Sequence, residues 1–426
     1  MVSATLFQHA ARLLDAVRNG PPPADRQMES YFRAHPKLGV RNRWFVAETV
    51  YGCLRRLRFL EYLVNVESAP AEALIAAYLL VVQGWDADAL ERAGYRPAQG
   101  RAELEARTLE ARLRSLDGDA LPLDVQTDLP PWLLERLVAQ LGEAETRALA
   151  AALNQSAPLD LRVNPLKADR ETVMRRLAEE GFPVTPTPYS PLGLRRSERV
   201  PLFKTKAFQD GLLEVQDEGS QLLALLLEPK RREIIVDFCA GGGGKTLHLG
   251  ALMANTGTIH AFDISAGRLE NLKPRLQRAG LDNVRTLVIE HERDPRVLRL
   301  RGKADRVLVD APCSGTGTLR RNPDLKWRAP DLERITTAQH TILAAAAELV
   351  RPGGRLVYAT CSLLREENED IVDGFVAAHS EYRIVPVREV LARRRVPLAD
   401  VDEFLRLYPH RHGTDGFFAA VLERAG

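Results

Sequence analysis

From Gln216 to the end of the chain, strand-like segments alternate with segments of helical period, and few folds accept such a pattern. The strands it marks are Ile234–Phe238, Thr258–Asp263, Val284–Ile289, Arg306–Asp310 and Arg355–Thr360. Between and after them, helical spacing runs through Lys245–Met253, Ala266–Ala279, Asp331–Val350 and Glu366–Ala378. Such alternation predicts an α/β fold with a parallel sheet covered on both faces. The closing run Gly416-Phe417-Phe418-Ala419-Ala420-Val421-Leu422 reads as an antiparallel strand at the sheet edge. Open sheets of this kind gather their chemistry at the carboxyl ends of the strands.

Upstream the pattern differs. Residues 1–150 carry helical spacing in Leu6 to Val17, Phe45 to Leu63 and Leu133 to Leu153, with Pro21-Pro22-Pro23 as a break. The polar stretch from Gly94 to Pro131 reads as a loosely packed connection, with a charged helix within Arg101 to Leu116. Residues 151–215 change character again. Leu161-Arg162-Val163 alternates like a strand, Arg170 to Glu180 is helical and closes on Gly181, and short strands follow to Val215. Three domains are therefore expected, at 1–150, 151–215 and 216–426, a division that 426 residues can support.

The net charge of +2 hides an uneven distribution. Residues 1–60 hold ten Lys/Arg against four Asp/Glu (+6), whereas residues 61–120 hold six against eleven (−5). The basic run, with Arg41, Arg43, Arg55, Arg56 and Arg58, is either a solvated helix face or the footprint of a polyanion. The longest apolar run, Ala73 to Val82, is too short to span a bilayer, and the amino end lacks the order of a signal peptide. The four cysteines, Cys53, Cys239, Cys313 and Cys361, form no Cys-x-x-Cys pair. No metal is expected, and a reduced, cytoplasmic protein that binds no membrane fits best.

After the first strand comes Cys239-Ala240-Gly241-Gly242-Gly243-Gly244-Lys245-Thr246. Four glycines allow a tight turn and a close backbone approach to a ligand at the following helix amino end. Asp263 ends the next strand, 19 residues after Gly244, where an acid can accept both ribose hydroxyls or else simply stabilise a turn. A phosphate-binding loop of an ATPase would share Gly244-Lys245-Thr246, and Val307-Leu308-Val309-Asp310 would pass for its metal-binding strand. That loop needs glycine where Cys239 stands. It also leaves Asp310-Ala311-Pro312-Cys313-Ser314-Gly315 and Thr360-Cys361-Ser362 without purpose. Two thiols at strand carboxyl ends beside a nucleotide-like pocket point instead to covalent chemistry on a substrate held next to a cofactor.

Those two segments, with Arg321-Asn322-Pro323-Asp324-Leu325-Lys326-Trp327, Glu366-Glu367-Asn368-Glu369 and Asp415-Gly416-Phe417-Phe418, resemble the Nop/Sun family of RNA cytosine-5 methyltransferases. Leu161-Arg162-Val163-Asn164 and Val215-Gln216-Asp217-Glu218 match in the middle module. The resemblance covers about residues 130 to 426 in order. Residues 1 to about 85 resemble, more weakly, the NusB-like helical domain of the bacterial ribosomal-RNA members. The implied architecture is a Rossmann-like methyltransferase sheet preceded by a small α+β RNA-binding module and an all-α NusB-like RNA-binding domain. The implied cofactor is S-adenosylmethionine, the implied partner is RNA, in particular small-subunit ribosomal RNA, and a monomer is expected. Methylation of tRNA or another RNA is the neighbouring alternative. A non-catalytic assembly factor is the distant one, disfavoured because binding needs neither thiol.

By the same resemblance Cys361 is the nucleophile that adds to carbon 6 of cytosine, and Cys313 assists the elimination that frees the product. DNA cytosine-5 enzymes use the opposite assignment. Asp310 is expected to bind the amino edge of the base, with Lys245 beside it. The expected cofactor contacts are Cys239, Ala240, Gly241, Gly242, Gly243, Gly244, Lys245, Asp263, Arg268, Glu290 and Asp310. Arg320, Arg321, Lys326 and Arg328 flank Trp327, and a basic loop with an aromatic suits a track for single-stranded RNA. Three departures from the family stand out. Gly241-Gly242 replaces Ala-Pro, which predicts a more flexible turn. The third strand of the family ends in an aspartate that reads the adenine amino group, and here the candidates for that place are Glu290, His291 and Glu292. The amino-terminal likeness fades after about Gln83.

Overall fold

The computed structural model describes residues 4–97, 99–196 and 201–426. They form two compact units. The first takes in the residues up to Ser156 together with Thr318–Ala329; the second holds Ala157–Gly317 and Pro330–Gly426.

The first unit is helical. Helices Ala4–Asn19, Ala24–Ala34, Val40–Arg55, Leu57–Val64 and Ala71–Val81 enclose a core that includes Leu13, Leu14, Val46, Val50, Leu60, Leu74 and Ile75. The stretch expected as a loose connection is packed. Tyr95, Leu104 and Leu109 are buried in that core, and the Tyr95 hydroxyl donates to the Leu104 carbonyl at 2.6 Å. These apolar residues are too widely spaced to show a period, yet each occupies the interior. The charged helix within it runs Ala106–Ser115.

The second unit contains two sheets. The smaller has β1 (Leu159–Val163), β2 (Thr185–Pro186), β3 (Gly193–Arg196) and β4 (Leu213–Val215), in the order β2-β3-β1-β4 with every pairing antiparallel. The larger has β5 (Ile234–Asp237), β6 (Thr258–Asp263), β7 (Val284–Val288), β8 (Ala304–Asp310), β9 (Val350–Thr360), β10 (Tyr382–Val385), β11 (Leu405–Leu407) and β12 (Phe417–Arg424). Its order is β10-β12-β9-β8-β5-β6-β7, and β11 pairs with β12. Strands β9, β8, β5, β6 and β7 are parallel. Their central members are continuous apolar runs, such as Val307-Leu308-Val309 and Leu356-Val357-Tyr358-Ala359, because helices cover both faces.

One expectation fails here. The last strand, β12, is antiparallel to β9 but lies inside the sheet, between β9 and β10. At four and three residues, β10 and β11 are too short to announce themselves by alternation. No helix among the described residues is long and apolar enough to cross a membrane.

The chain winds outward from β5 in two directions, to β6 and β7 on one side and to β8 and β9 on the other. The switch point therefore lies between β5 and β8, where an open sheet leaves a crevice for ligands. The smaller sheet packs on this same unit through the two middle motifs. Arg195 makes a two-pronged bond to the buried Asp160 at 2.6 and 2.8 Å, and Asp160 accepts from the Glu218 backbone N–H at 3.1 Å. The Asn164 amide donates to the Ala279 carbonyl at 2.9 Å.

Candidate active site

The glycine turn leaves β5 at the switch point. Gly241 and Gly243 have φ of +56° and +80°, and a side chain on Gly243 would strike Leu272 at 2.2 Å. Glycine is thus required there for both conformation and space. The turn is less free than its composition suggests. The Arg275 guanidinium donates to the Gly242 carbonyl, and Arg162, buried in β1, donates to the Gly244 carbonyl at 2.8 Å. Arg162 also donates to the Gln216 side chain. Burial pulls Arg162 down to about 9, with Glu214 opposing and Arg275 assisting. Neither arginine announces itself in the sequence as a support of the turn, although Arg162 lies inside the Leu161-Arg162-Val163-Asn164 motif.

Asp263 ends β6 and is buried. One carboxylate oxygen accepts from Gly241 N–H at 2.8 Å, the other from Ser265 N–H at 2.7 Å, and Arg268 stands 4.0 Å away. Each oxygen keeps a lone pair for a further donor. Beside it, Ile264 is 72% exposed, and Val288, the partner of Asp263 across the β6–β7 pair, is 40% exposed. Asp237 lies fully buried at the end of β5 and accepts from the Thr246 hydroxyl at 2.6 Å, while its other oxygen has no partner. Burial pushes this carboxyl up to about 6; the Thr246 bond opposes that rise, Asp310 adds to it, Lys245 opposes it and Asp263 adds to it. Open space above Gly241, an acid for ribose and two exposed apolar side chains suit an adenosine, and the surrounding carboxylates suit a sulfonium. The residues present therefore fit S-adenosylmethionine. Glu290 and His291 are exposed and Glu292 is half-buried, while the Glu290 N–H donates to Asp294 at 3.3 Å. Cys239 stays a thiol: burial raises it well above the ordinary range, and Asp310, Asp237 and Asp263 add to the rise.

Lys245, on the first turn of helix Gly244–Leu252, donates to Asp310 at the end of β8 over 2.7 Å. Its ammonium also lies 5.8 Å from the centre of the Phe417 ring. Burial alone would lower Lys245, but Asp310 outweighs it, and the net shift is upward. This lysine stays charged.

Cys313 follows β8 and Cys361 follows β9. Their sulfurs are 3.4 Å apart, and both residues are partly exposed. The Cys361 loop is held by Gly317, whose N–H donates to the Cys361 carbonyl at 2.8 Å and whose carbonyl accepts from Gly416 at 2.8 Å. A side chain on Gly317 would meet the Gly416 carbonyl oxygen at 2.2 Å, so Asp415-Gly416-Phe417 and the Cys313 loop require this contact between glycines. Cys313 is pushed well above the ordinary range of a thiol, first by its hydrogen bond with Cys361, then by burial and by the charges of Cys361 and Glu367. Across this contact one thiol donates to the other sulfur.

The loop after Cys313 does not form the expected track. Lys326 is buried, and its ammonium donates to the Arg55 carbonyl, the Asp128 carbonyl and the Asn154 side chain at 2.7, 2.8 and 2.9 Å, all within the helical unit. Trp327 donates to the Leu54 carbonyl at 2.7 Å and packs on the helical core. Arg320 is buried too, and its carbonyl accepts from Arg55 at 3.0 Å. Arg328 donates to the carbonyls of Val17, Gly20, Pro21 and Pro22. Interleaved cations and an aromatic look alike in sequence whether they face RNA or backbone carbonyls. Lys326, Trp327 and Arg320 are corrected to structural roles; Arg321 is half-buried.

The chain is similar to known proteins over its whole length. The family described as 16S rRNA methyltransferase RsmB/F matches residues 224–423, and the ferredoxin-like domain of RsmF/B-like methyltransferases matches residues 129–202. A probable ribosomal RNA small subunit methyltransferase B of Synechocystis sp. is 32% identical, over 100% of both chains. Its counterpart in Bacillus subtilis is 30% identical over 92% of each chain. A methyltransferase homolog protein from Pyrococcus horikoshii has a TM-score of 0.61 and 29% identity, covering 72% of this chain and 100% of its own. NSun6 from the same organism, solved with SFG, has a TM-score of 0.60 and 25% identity, covering 70% of this chain and 98% of its own.

Proposed function

The chain belongs to the 16S rRNA methyltransferase RsmB/F family, and we propose that it methylates carbon 5 of a cytosine in small-subunit ribosomal RNA through a bond between Cys361 and carbon 6. It is a methyltransferase that uses S-adenosylmethionine. The observation that carries the finer reading is the 3.4 Å contact between two thiols beside the Lys245–Asp310 pair.

Carbon 5 of cytosine is a poor nucleophile. When the Cys361 sulfur adds to carbon 6, the electron pair of the ring double bond passes to carbon 5. S-adenosylmethionine, when bound, supplies a methyl group that this carbon can attack. Asp310 accepts from the exocyclic amino group, and Lys245 offers donors to the acceptor edge beside it. Asp263 holds the ribose of the cofactor, and the glycine turn leaves room for the rest.

Release needs the proton on carbon 5 to leave and the carbon–sulfur bond to break. Cys313 is placed for the first task. Its sulfur lies 3.4 Å from that of Cys361, and this contact, ahead of burial, raises the thiol. Once Cys361 is bound to carbon, the negative charge of its sulfur is gone. Cys313 then yields its proton to solvent water more readily and, as a thiolate, takes the carbon 5 proton. The ring double bond re-forms and Cys361 is expelled as thiolate.

The test uses both cysteine variants and the double variant, with cofactor and small-subunit RNA. Cys361→Ala should give neither adduct nor product. Cys313→Ala should accumulate an RNA-linked species, stable on a denaturing gel and dependent on Cys361. Bisulfite sequencing of the RNA reads the product. An adduct in Cys361→Ala but not Cys313→Ala would reverse the roles, and full activity in both would end the covalent reading.

A further inference from the structure

The Glu366-Glu367-Asn368-Glu369 motif has no part in the chemistry above, yet its second residue touches both thiol loops. Glu367 is fully buried, at 0% exposure. One of its oxygens accepts from the Ser314 N–H at 2.8 Å and from the Gln339 amide at 3.1 Å. The other accepts from the Ser314 hydroxyl at 2.5 Å and from the Ser362 hydroxyl. Ser314 and Ser362 are the residues that directly follow Cys313 and Cys361. Gln339 in turn donates to the Pro312 carbonyl at 3.0 Å.

We infer that Glu367 is a positioning residue that holds Cys313 and Cys361 at their working separation by binding the serine after each of them. The role deepens the covalent reading above and rests on it. Four donors fill the acceptor sites of the two oxygens, so the group binds as a carboxylate with no proton of its own. Two loops from different strands thereby share one anchor, and neither cysteine can shift without breaking a bond to it. The anchor also acts through its charge. A buried anion near Cys313 favours the protonated thiol, and the structure shows that effect alongside the hydrogen bond to Cys361. Glu367 therefore adds to the rise of the Cys313 thiol and makes Cys313 the stronger base when its turn comes. Asn368 completes the frame on the Cys361 side: it accepts from Thr360 at 2.5 Å and donates to the Ser362 carbonyl at 3.0 Å.

The experiment reads the thiols without RNA. The full chain, reduced, is alkylated with iodoacetamide across a pH series, and mass spectrometry of peptides reports each cysteine separately. In the wild type Cys313 should react only above the ordinary thiol range. In Glu367→Gln the Cys313 midpoint should fall by about one unit, the least that a neighbouring charge contributes. The same variant should lose about tenfold or more in kcat, as expected when reacting groups drift from alignment, with KM for S-adenosylmethionine within about twofold. Glu367→Asp keeps the charge but loses reach, so it should hold the Cys313 midpoint while still losing kcat. Unchanged midpoints and unchanged kcat in Glu367→Gln overturn the role. If that variant fails to fold, Ser314→Ala and Ser362→Ala each remove one arm, and wild-type kcat in both overturns it equally. A wild type that leaves no 5-methylcytosine overturns the covalent reading instead, and the thiol midpoints tell the two failures apart.

Discussion

Two lysines, Lys245 and Lys326, sit in family-like motifs and lie next to an aspartate, and they do opposite things. Lys245 spends one donor on the Asp310 carboxylate, at the mouth of the sheet crevice. Lys326 spends all three donors on two backbone carbonyls and one amide oxygen inside the helical unit. Their electrostatics diverge accordingly. Asp310 keeps Lys245 above its ordinary value despite burial. Burial pulls Lys326 down to about 7; Asp128 opposes this, and Arg56 and Arg55 add to it. A lysine with a charged partner and donors to spare can serve a substrate. One saturated by fixed carbonyls serves the fold.

Lys326→Met probes the structural side of this contrast and should have the largest effect. It takes the donor from two buried carbonyls and the half-buried Asn154 side chain, and weakens the balance around Asp128, which is buried and pairs with Arg56 at 3.0 Å. Breaking a buried charge arrangement costs roughly 3–5 kcal/mol. Urea unfolding of the full chain should show that loss, with S-adenosylmethionine affinity of the remaining folded protein unchanged. Wild-type stability would return Lys326 to the RNA-contact role from which its burial removed it.

Lys245→Met probes the other side. Asp310 is part-exposed, so its orphaned carboxylate can be hydrated and stability should change little. Activity should fall by about a hundredfold to a thousandfold, the scale of losing one preorganised donor in a reacting site. Methylation rate measured beside a melting curve checks both halves. A large drop in melting temperature with normal turnover would show that the two lysines are alike after all.

The contrast also marks what could be read from the sequence. Strand–helix alternation located the five parallel strands, because strands buried on both faces are near-continuous apolar runs. Position at strand carboxyl ends brought Cys313 and Cys361 forward, and the structure places their sulfurs 3.4 Å apart. The basic loop around Trp327 misled, since sequence records the cation but not the carbonyls that will meet it. Glu367 was in plain view inside a matched motif, but its role depends on two serines 53 and 5 residues away. Arg162 and Arg275 escaped for the same reason: their acceptors are turn carbonyls 82 and 33 residues distant.

The smallest effect that the comparison predicts is a pH dependence, and it tests the Lys326 environment without removing it. A lysine held at about 7 when folded and near 10.4 when unfolded binds fewer protons in the folded state between those values. Below about 7 both states are charged and the full cost of burial is present. As pH rises through that window the unfolded state still holds its proton while the folded state has shed it, so stability rises with pH. The gain is at most about 1.4 kcal/mol per pH unit, the value of one proton. Asp128 is raised by burial against the pull of Arg56 and Lys326. Arg162, held at about 9, adds to stability only from there upward. Unfolding free energy measured between pH 7 and 8.5 should therefore climb in the wild type and be flatter in Lys326→Met. Equal slopes in the two proteins would mean that Lys326 keeps its proton throughout, held by its three acceptors more firmly than burial opposes it.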